Sequence, residues 1–178
     1  MYERTEAVHL DVAEDDRVLE LGVGLGYIST LILRSNPKAY LGIEPNPDMM
    51  PMIEKVFTLN GVDGEVRNAV VQKTPTFSPA DFYVREDFWS SSIEPGGHVK
   101  TVKVQQVDID DLIAEFSPTL IVCDVEGAEA ELFADPPDVD RLYVELHDCT
   151  LEMDGFTKDQ HGNVWTYTRT SGVANQIQ

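Results

Sequence analysis

The sequence predicts an α/β fold with a mostly parallel sheet, and three observations predict it. Short apolar runs of strand length alternate with helix-period segments; a glycine-rich turn directly follows the first run; and the last stretch alternates with period two about a turn. Strands separated by helices need crossovers and lie parallel, whereas two strands joined by a tight turn lie antiparallel. At 178 residues the chain suits one domain, 1–178, able to bury roughly 70% of its unfolded surface.

The elements follow in order. "RVLELGVG" (17–24) reads as a strand entering a glycine turn, and "YISTLILRS" (27–35) as a helix packed on a sheet through apolar residues 28, 31 and 32. "AYLGIEP" (39–45) is the second strand, closed by Pro45 and Pro47. "PDMMPMIEKVFTLNG" (47–61) is a helix stopped by Asn60-Gly61, with Met49, Met50 and Met52 expected in the helix-to-sheet core. "GEVRNAVVQ" (64–72) reads as one third strand. Residues 73–98 break the alternation with Pro75, Pro79, Pro95 and Gly96-Gly97; "DFYV" is a short strand there, and Tyr83, Phe88 and Trp89 are expected to anchor the segment on the sheet. "VKTVKVQQV" (99–107) alternates as an edge strand, and "DIDDLIAEF" is an Asp-capped short helix. "TLIVCDV" (119–125) is a fully apolar strand followed by the helix "AEAELF", and "RLYVELHD" (141–148) is the next strand. "GFTKDQHGNVWTYTRT" closes the chain as a hairpin turning near His161-Gly162-Asn163, with Trp165 and Tyr167 packing. His9, His98 and His161 read as surface or turn residues.

Composition narrows the function. Thirty-two acidic against thirteen basic residues give a net charge of -19. Such a surface repels phosphate backbones, which argues against a nucleic-acid partner, and it resembles the solvated acidic surfaces of salt-adapted proteins. Cys123 and Cys149 lack metal-ligand spacing and read as reduced thiols. "MYERTEAVHLDVAEDD" contains no apolar core of a secretory signal, and no apolar run reaches the roughly 18 residues that span a bilayer. The expectation is a cytoplasmic protein without a membrane partner.

The glycine turn carries the first chemistry. Gly22, Gly24 and Gly26 stand between a strand and a helix, where backbone must turn tightly and approach a ligand closely. Glu44 ends the next strand, where an acid can accept both hydroxyls of a ribose. A dinucleotide fingerprint from Gly22 would require glycine at the position of Tyr27, which disfavours a nicotinamide enzyme. The observed pattern is E-x-G-x-G-x-G, starting at Glu20.

These motifs resemble, in order, those of the FkbM family of methyltransferases, within the class I S-adenosylmethionine-dependent superfamily. "VLELGVGLGYIST" is similar to the family's glycine motif, "GIEPNPDMM" to its second-strand signature and "LNGVDGEVRNAVV" to its third-strand region. "SSSIEP", "VKVQQVDIDDLI" and "LYVELHD" are similar to later segments, and "CDVEGAEAELF" resembles its most specific element. The resemblance implies a Rossmann-like class I methyltransferase fold and O-methylation of a hydroxyl on a small molecule or glycan. It also implies Gly22, Gly24 and Gly26 under S-adenosyl-L-methionine, with Glu20 near its amino group. Glu44 would take the ribose hydroxyls, Pro45 and Asn46 would lie beside the adenine edge, and Asn68 and Ala69 would meet its ring. Little chain precedes the glycine motif and the stretch after His147 is abbreviated, which keeps open a second reading: a non-catalytic subunit that binds the cofactor.

Methylation of a hydroxyl needs a base, or a cation that lowers the hydroxyl pKa. Asp124 sits at the carboxyl end of an apolar strand, the edge where open α/β sheets hold ligands, and is expected to border the cofactor too. Glu145 and His147 are expected to end the next strand on one side of it. Asp124, Glu126, Glu145 and His147 are therefore the catalytic candidates, with Asp124 first. Two mechanisms stay open: Asp124 or His147 as general base, or Asp124, Glu145 and His147 around a divalent cation, which no spacing here diagnoses. His147 also reads as a hydrogen-bonded strand-end histidine. Glu129 and Glu131 are read as acids stabilising the start of a helix.

Overall fold

The computed structural model describes residues 10–76, 78–86, 91–93 and 95–170. Strand β1 (Arg17–Leu21) leads through the glycine turn into helix α1 (Tyr27–Arg34), and β2 (Ala39–Glu44) leads into α2 (Met50–Asn60). Then come β3 (Glu65–Asn68), β4 (Val70–Gln72), β5 (Ala80–Arg85), β6 (His98–Val104) and β7 (Gln106–Asp108). Helix α3 (Ile109–Phe116), β8 (Leu120–Cys123), α4 (Glu129–Leu132), β9 (Arg141–Glu145), β10 (Phe156–His161) and β11 (Val164–Arg169) complete the described chain. No helix among the described residues is long and apolar enough to cross a membrane.

The main sheet runs β10-β11-β9-β8-β1-β2-β3. β9, β8, β1, β2 and β3 are parallel, and β11 is antiparallel to both of its neighbours. The predicted mostly parallel sheet with a terminal hairpin is thus what the chain forms. Strand alternation sorts the core into two layers. Leu19, Leu21, Leu41, Ile43, Ile121 and Leu142 meet α3 and α4 on one face. Val18, Tyr40, Val122 and Tyr143 meet Ile32 of α1 and Ile53 and Phe57 of α2 on the other.

Sequence cues set several ends. Asp108 caps α3, its carboxylate accepting from the Asp110 and Asp111 amides, and Gly61 stops α2 at φ 65°. Trp165 stacks beside the buried Tyr167, whose hydroxyl donates to the Leu151 carbonyl at 2.7 Å. His98 and His161 are exposed, and both cysteines are free thiols. Away from the site, the buried Asp16 ties the amino ends of β1 and β9 together, accepting from Arg141 at 2.5 Å and from Thr119 at 2.7 Å.

Three expectations are corrected. Residues 64–72 form two strands because the chain changes partner at Ala69: its amide donates to the Glu44 carbonyl, whereas the next amide, Val70, donates to Gln105. The predicted strand 99–107 divides at Gln105 for the same reason, β6 pairing with β5 and β7 with β4. Met52 lies on the outer side of α2 and is 44% exposed, while Met49 and Met50 do pack against the core. Phe88, Trp89 and His9 lie outside the described residues.

The β5–β6 hairpin is an insertion that becomes a wall. It docks on Val70 through Phe82, Val84 and Val104. Lys100 on β6 pairs with Asp48, just before α2, at 2.9 Å.

Candidate active site

A cavity opens at the carboxyl ends of β1, β2 and β8. Its floor is the glycine turn. Gly22 stands at φ 84°, and a Cβ there would lie 1.9 Å from the Asp124 carbonyl oxygen, so only hydrogen permits β1 and β8 to end this close together. Gly24 stands at φ 56°, and a Cβ there would meet nothing within 4 Å. It lines the cavity, so that Cβ would occupy space the missing side chain leaves to a ligand.

Two buried acids face this turn. Glu20 is 2% exposed and accepts a 2.5 Å hydrogen bond from the Tyr40 hydroxyl. Gly42, paired with Glu20 across the strands, makes that contact possible: a Cβ there would stand 2.7 Å from the Tyr40 oxygen. Burial pushes the Glu20 carboxyl up to about 7, against the pull of Tyr40, with the charges of Asp124 and Glu44 adding to the rise. Glu44 is 5% exposed and braces the turn, Oε2 accepting from the Gly24 amide at 2.8 Å and Oε1 from the Asn46 amide at 2.7 Å. Burial raises it to about 7 as well, against those amides.

Glu20, Gly22, Gly24, Glu44, Pro45, Ala69, Asp124 and Glu126 all line the cavity. Gly26, Asn46 and Asn68 do not. Gly26 precedes α1 as its N-cap, Asn46 is buried with its side chain accepting from the Asp48 amide, and Asn68 donates to the Glu44 and Pro45 carbonyls. These three shape the cavity from behind. The sequence reading missed Phe82, Ser91, Ser92 and Ile93, which the hairpin brings to the opposite wall; the one signal for them was the serine-rich segment.

The rim gathers the catalytic candidates. Nε2 of His147 lies 3.9 Å from Asp124 Oδ1, 3.9 Å from Glu126 Oε1 and 3.8 Å from Glu145 Oε1. His147 itself lies past the end of β9, one residue beyond Leu146, whose amide still donates to the Asn163 carbonyl in register with the Glu145–Val164 pair. Its Nδ1 meets Glu129 Oε1 at 2.6 Å. That bond to Glu129, opposed by burial and aided by the charges of Glu126 and Asp124, holds the His147 proton up to about 9. A proton held this firmly counts against His147 as the general base near neutral pH and favours Asp124 for that role. Burial and the Asp124 charge raise the Glu145 carboxyl.

Glu129 does stand in the first turn of α4, as expected, but its side chain is 0% exposed and meets His147, a contact that its helix-start position does not reveal. The signal available was its place as the last letter of "DVEGAE". Ligand atoms of Asp124, Glu145 and His147 lie within 4.8 Å of one another, close enough for a cation to touch all three. An imidazolium has no lone pair for a metal, so a cation there would have to displace the His147 proton.

These groups predict a pH dependence. Glu20 and Glu44 have folded-state values near 7, above the usual carboxylate range, so their contribution is complete below about 4.5 and disappears as pH rises through 7. His147 acts in the same direction between about 6.5 and about 9. The melting temperature should therefore fall steadily from pH 5 to pH 9, and Glu20→Gln should flatten the part below pH 7. A melting temperature that rises through neutrality contradicts this assignment.

Comparison with known proteins supplies the family. The family described as "Methyltransferase FkbM domain" matches residues 21–172. A 48-residue stretch is 50% identical to ribosomal RNA small subunit methyltransferase A of Persephonella marina (strain DSM 14350 / EX-H1), covering 27% of this chain but only 18% of that protein's length. The fold is similar to the crystal structure of methyltransferase FkbM from Methylobacillus flagellatus KT, with TM-score 0.54 and 13% identity over 90% of this chain and 45% of that one. It is also similar to a mutant of MtNAS in complex with S-adenosylmethionine, with TM-score 0.50 and 13% identity over 89% and 56% of the two chains. The parallel sheet, the glycine turn at its carboxyl edge and a family match through most of its length agree: the chain belongs to the methyltransferase FkbM domain family.

Proposed function

We infer that the protein is a cytoplasmic S-adenosylmethionine-dependent O-methyltransferase acting on a hydroxyl of a small molecule or glycan. The observation that carries this reading is the cavity itself: an apolar pocket floored by a glycine turn, with two buried carboxylates inside and an exposed carboxylate on its rim. The residues fit the cofactor. Gly22 presents backbone and Gly24 leaves open space beneath it, Glu20 offers a buried carboxyl that a cationic ammonium group would ionise, and Glu44 offers oxygens to its ribose hydroxyls. Phe82 and Ile93 supply an apolar wall to the pocket.

When bound, the cofactor supplies an electrophilic methyl group on a sulfonium sulfur, whose loss leaves a neutral thioether. The acceptor oxygen becomes acidic as its bond to carbon forms, so a carboxylate is a sufficient base late in the transfer. Asp124 is the residue assigned to receive the proton; its lining of the cavity and its 56% exposed side chain support this. His147, already protonated at neutral pH, stabilises the neighbouring carboxylates.

The partial likeness to a ribosomal RNA methyltransferase suggests another acceptor. A net charge of -19 and a rim of carboxylates oppose an RNA backbone, so the small-molecule reading is preferred. The non-catalytic alternative keeps cofactor binding and loses transfer. Titration calorimetry should show S-adenosylmethionine binding and no NAD binding; the reverse would sink this reading. A screen of hydroxylated acceptors with methyl-labelled cofactor separates enzyme from cofactor-binding subunit, and activity that survives EDTA removes the divalent-cation mechanism.

A further inference from the structure

Glu129 is more deeply buried than any other acid of the rim. Its side chain is 0% exposed, and a carboxylate out of water requires donors. Oε1 accepts from His147 Nδ1 at 2.6 Å and from the Gly127 amide at 3.2 Å, while the Cys149 thiol points at Oε2 across 4.0 Å. It thereby joins two separate segments: the β8–α4 turn, which carries Asp124 and Glu126, and the stretch after β9, which carries His147.

The chemistry of this contact settles the ring. A carboxylate only accepts, so Nδ1 must carry the hydrogen and Nε2 is the nitrogen presented to the rim. The 3.8–3.9 Å distances from Nε2 to Asp124, Glu126 and Glu145 exceed direct hydrogen bonds. Glu129 holds the ring at one end, and the other end stays available to the reacting groups. The groups facing His147 are Asp124 and Glu126 before α4, Glu129 on α4, Glu145 on β9, and Asp148 and Cys149 on its own segment.

We propose that Glu129 is a positioning residue that anchors His147 through Nδ1, so that Nε2 is directed at the carboxylates where the acceptor hydroxyl gives up its proton. This rests on the methyltransferase reading of the rim. The imidazole protons of the ¹⁵N-labelled protein test it, with His147→Gln identifying the resonance. At pH 7 the His147 Nδ1 proton should be resolved and protected from solvent exchange, and Glu129→Gln, whose uncharged amide oxygen is a weaker acceptor, should make it exchange at least about 10-fold faster. The same variant should lower kcat by about 10-fold or more, with S-adenosylmethionine affinity by calorimetry within about 2-fold. An unprotected Nδ1 proton in the wild-type protein overturns the proposal, and this result stands even if Glu129→Gln does not fold. Equal loss of cofactor affinity and kcat in the variant also overturns it, since that marks a purely structural residue. Failure of the wild-type protein to bind S-adenosylmethionine would instead sink the methyltransferase reading and leave the proton result intact.

Discussion

Gly22→Ala is expected to abolish cofactor binding and to cost at least about 3 kcal/mol of stability. The added Cβ would stand 1.9 Å from the Asp124 carbonyl oxygen and 2.9 Å from its carbon, and both are backbone atoms that cannot rotate away. Neither side can retreat cheaply. The Gly22 amide donates to the Ile43 carbonyl at 3.0 Å, and the Asp124 amide donates to Leu21 at 2.9 Å. The left-handed φ of 84° adds roughly 1 kcal/mol of its own. Gly24→Ala is the control: its Cβ meets nothing, so stability should fall by only about 1 kcal/mol while the methyl group intrudes on the cavity and weakens binding. Chemical denaturation and calorimetry distinguish the two, and a Gly22→Ala protein of wild-type stability would contradict the close approach described here.

Asp124→Asn should reduce methyl transfer by about 10²–10⁴-fold with cofactor affinity nearly unchanged. The substitution keeps shape and leaves the backbone bond to Leu21, but an amide cannot take the acceptor proton. Stability should hold or rise, because the Asp124 charge is among the causes that push Glu20 and Glu145 upward. Single-turnover transfer beside a cofactor titration gives the answer. Retained activity would move the base elsewhere, and lost affinity would make Asp124 a binding residue.

Much of this protein was legible in its chain. Apolar runs of strand length, helix periodicity, the Asp108 cap and the stops at Gly61 and Gly162 are local signals, and they determined the parallel sheet and its closing hairpin. Position at a strand's carboxyl end also assigned Asp124, Glu126, Glu145 and His147 to one rim from sequence, because parallel strands share an edge. The tertiary structure alone decided which acids are buried. Glu129 and Glu131 look alike in sequence, yet one is sealed against His147, eighteen positions along the chain, while the other is exposed. Pairing decided the break at Ala69, since a strand's amides do not reveal which neighbour will take them. It also decided that the irregular insertion becomes a cavity wall. Periodicity reports the face a residue presents, whereas burial of a charge depends on the distant group that arrives to satisfy it.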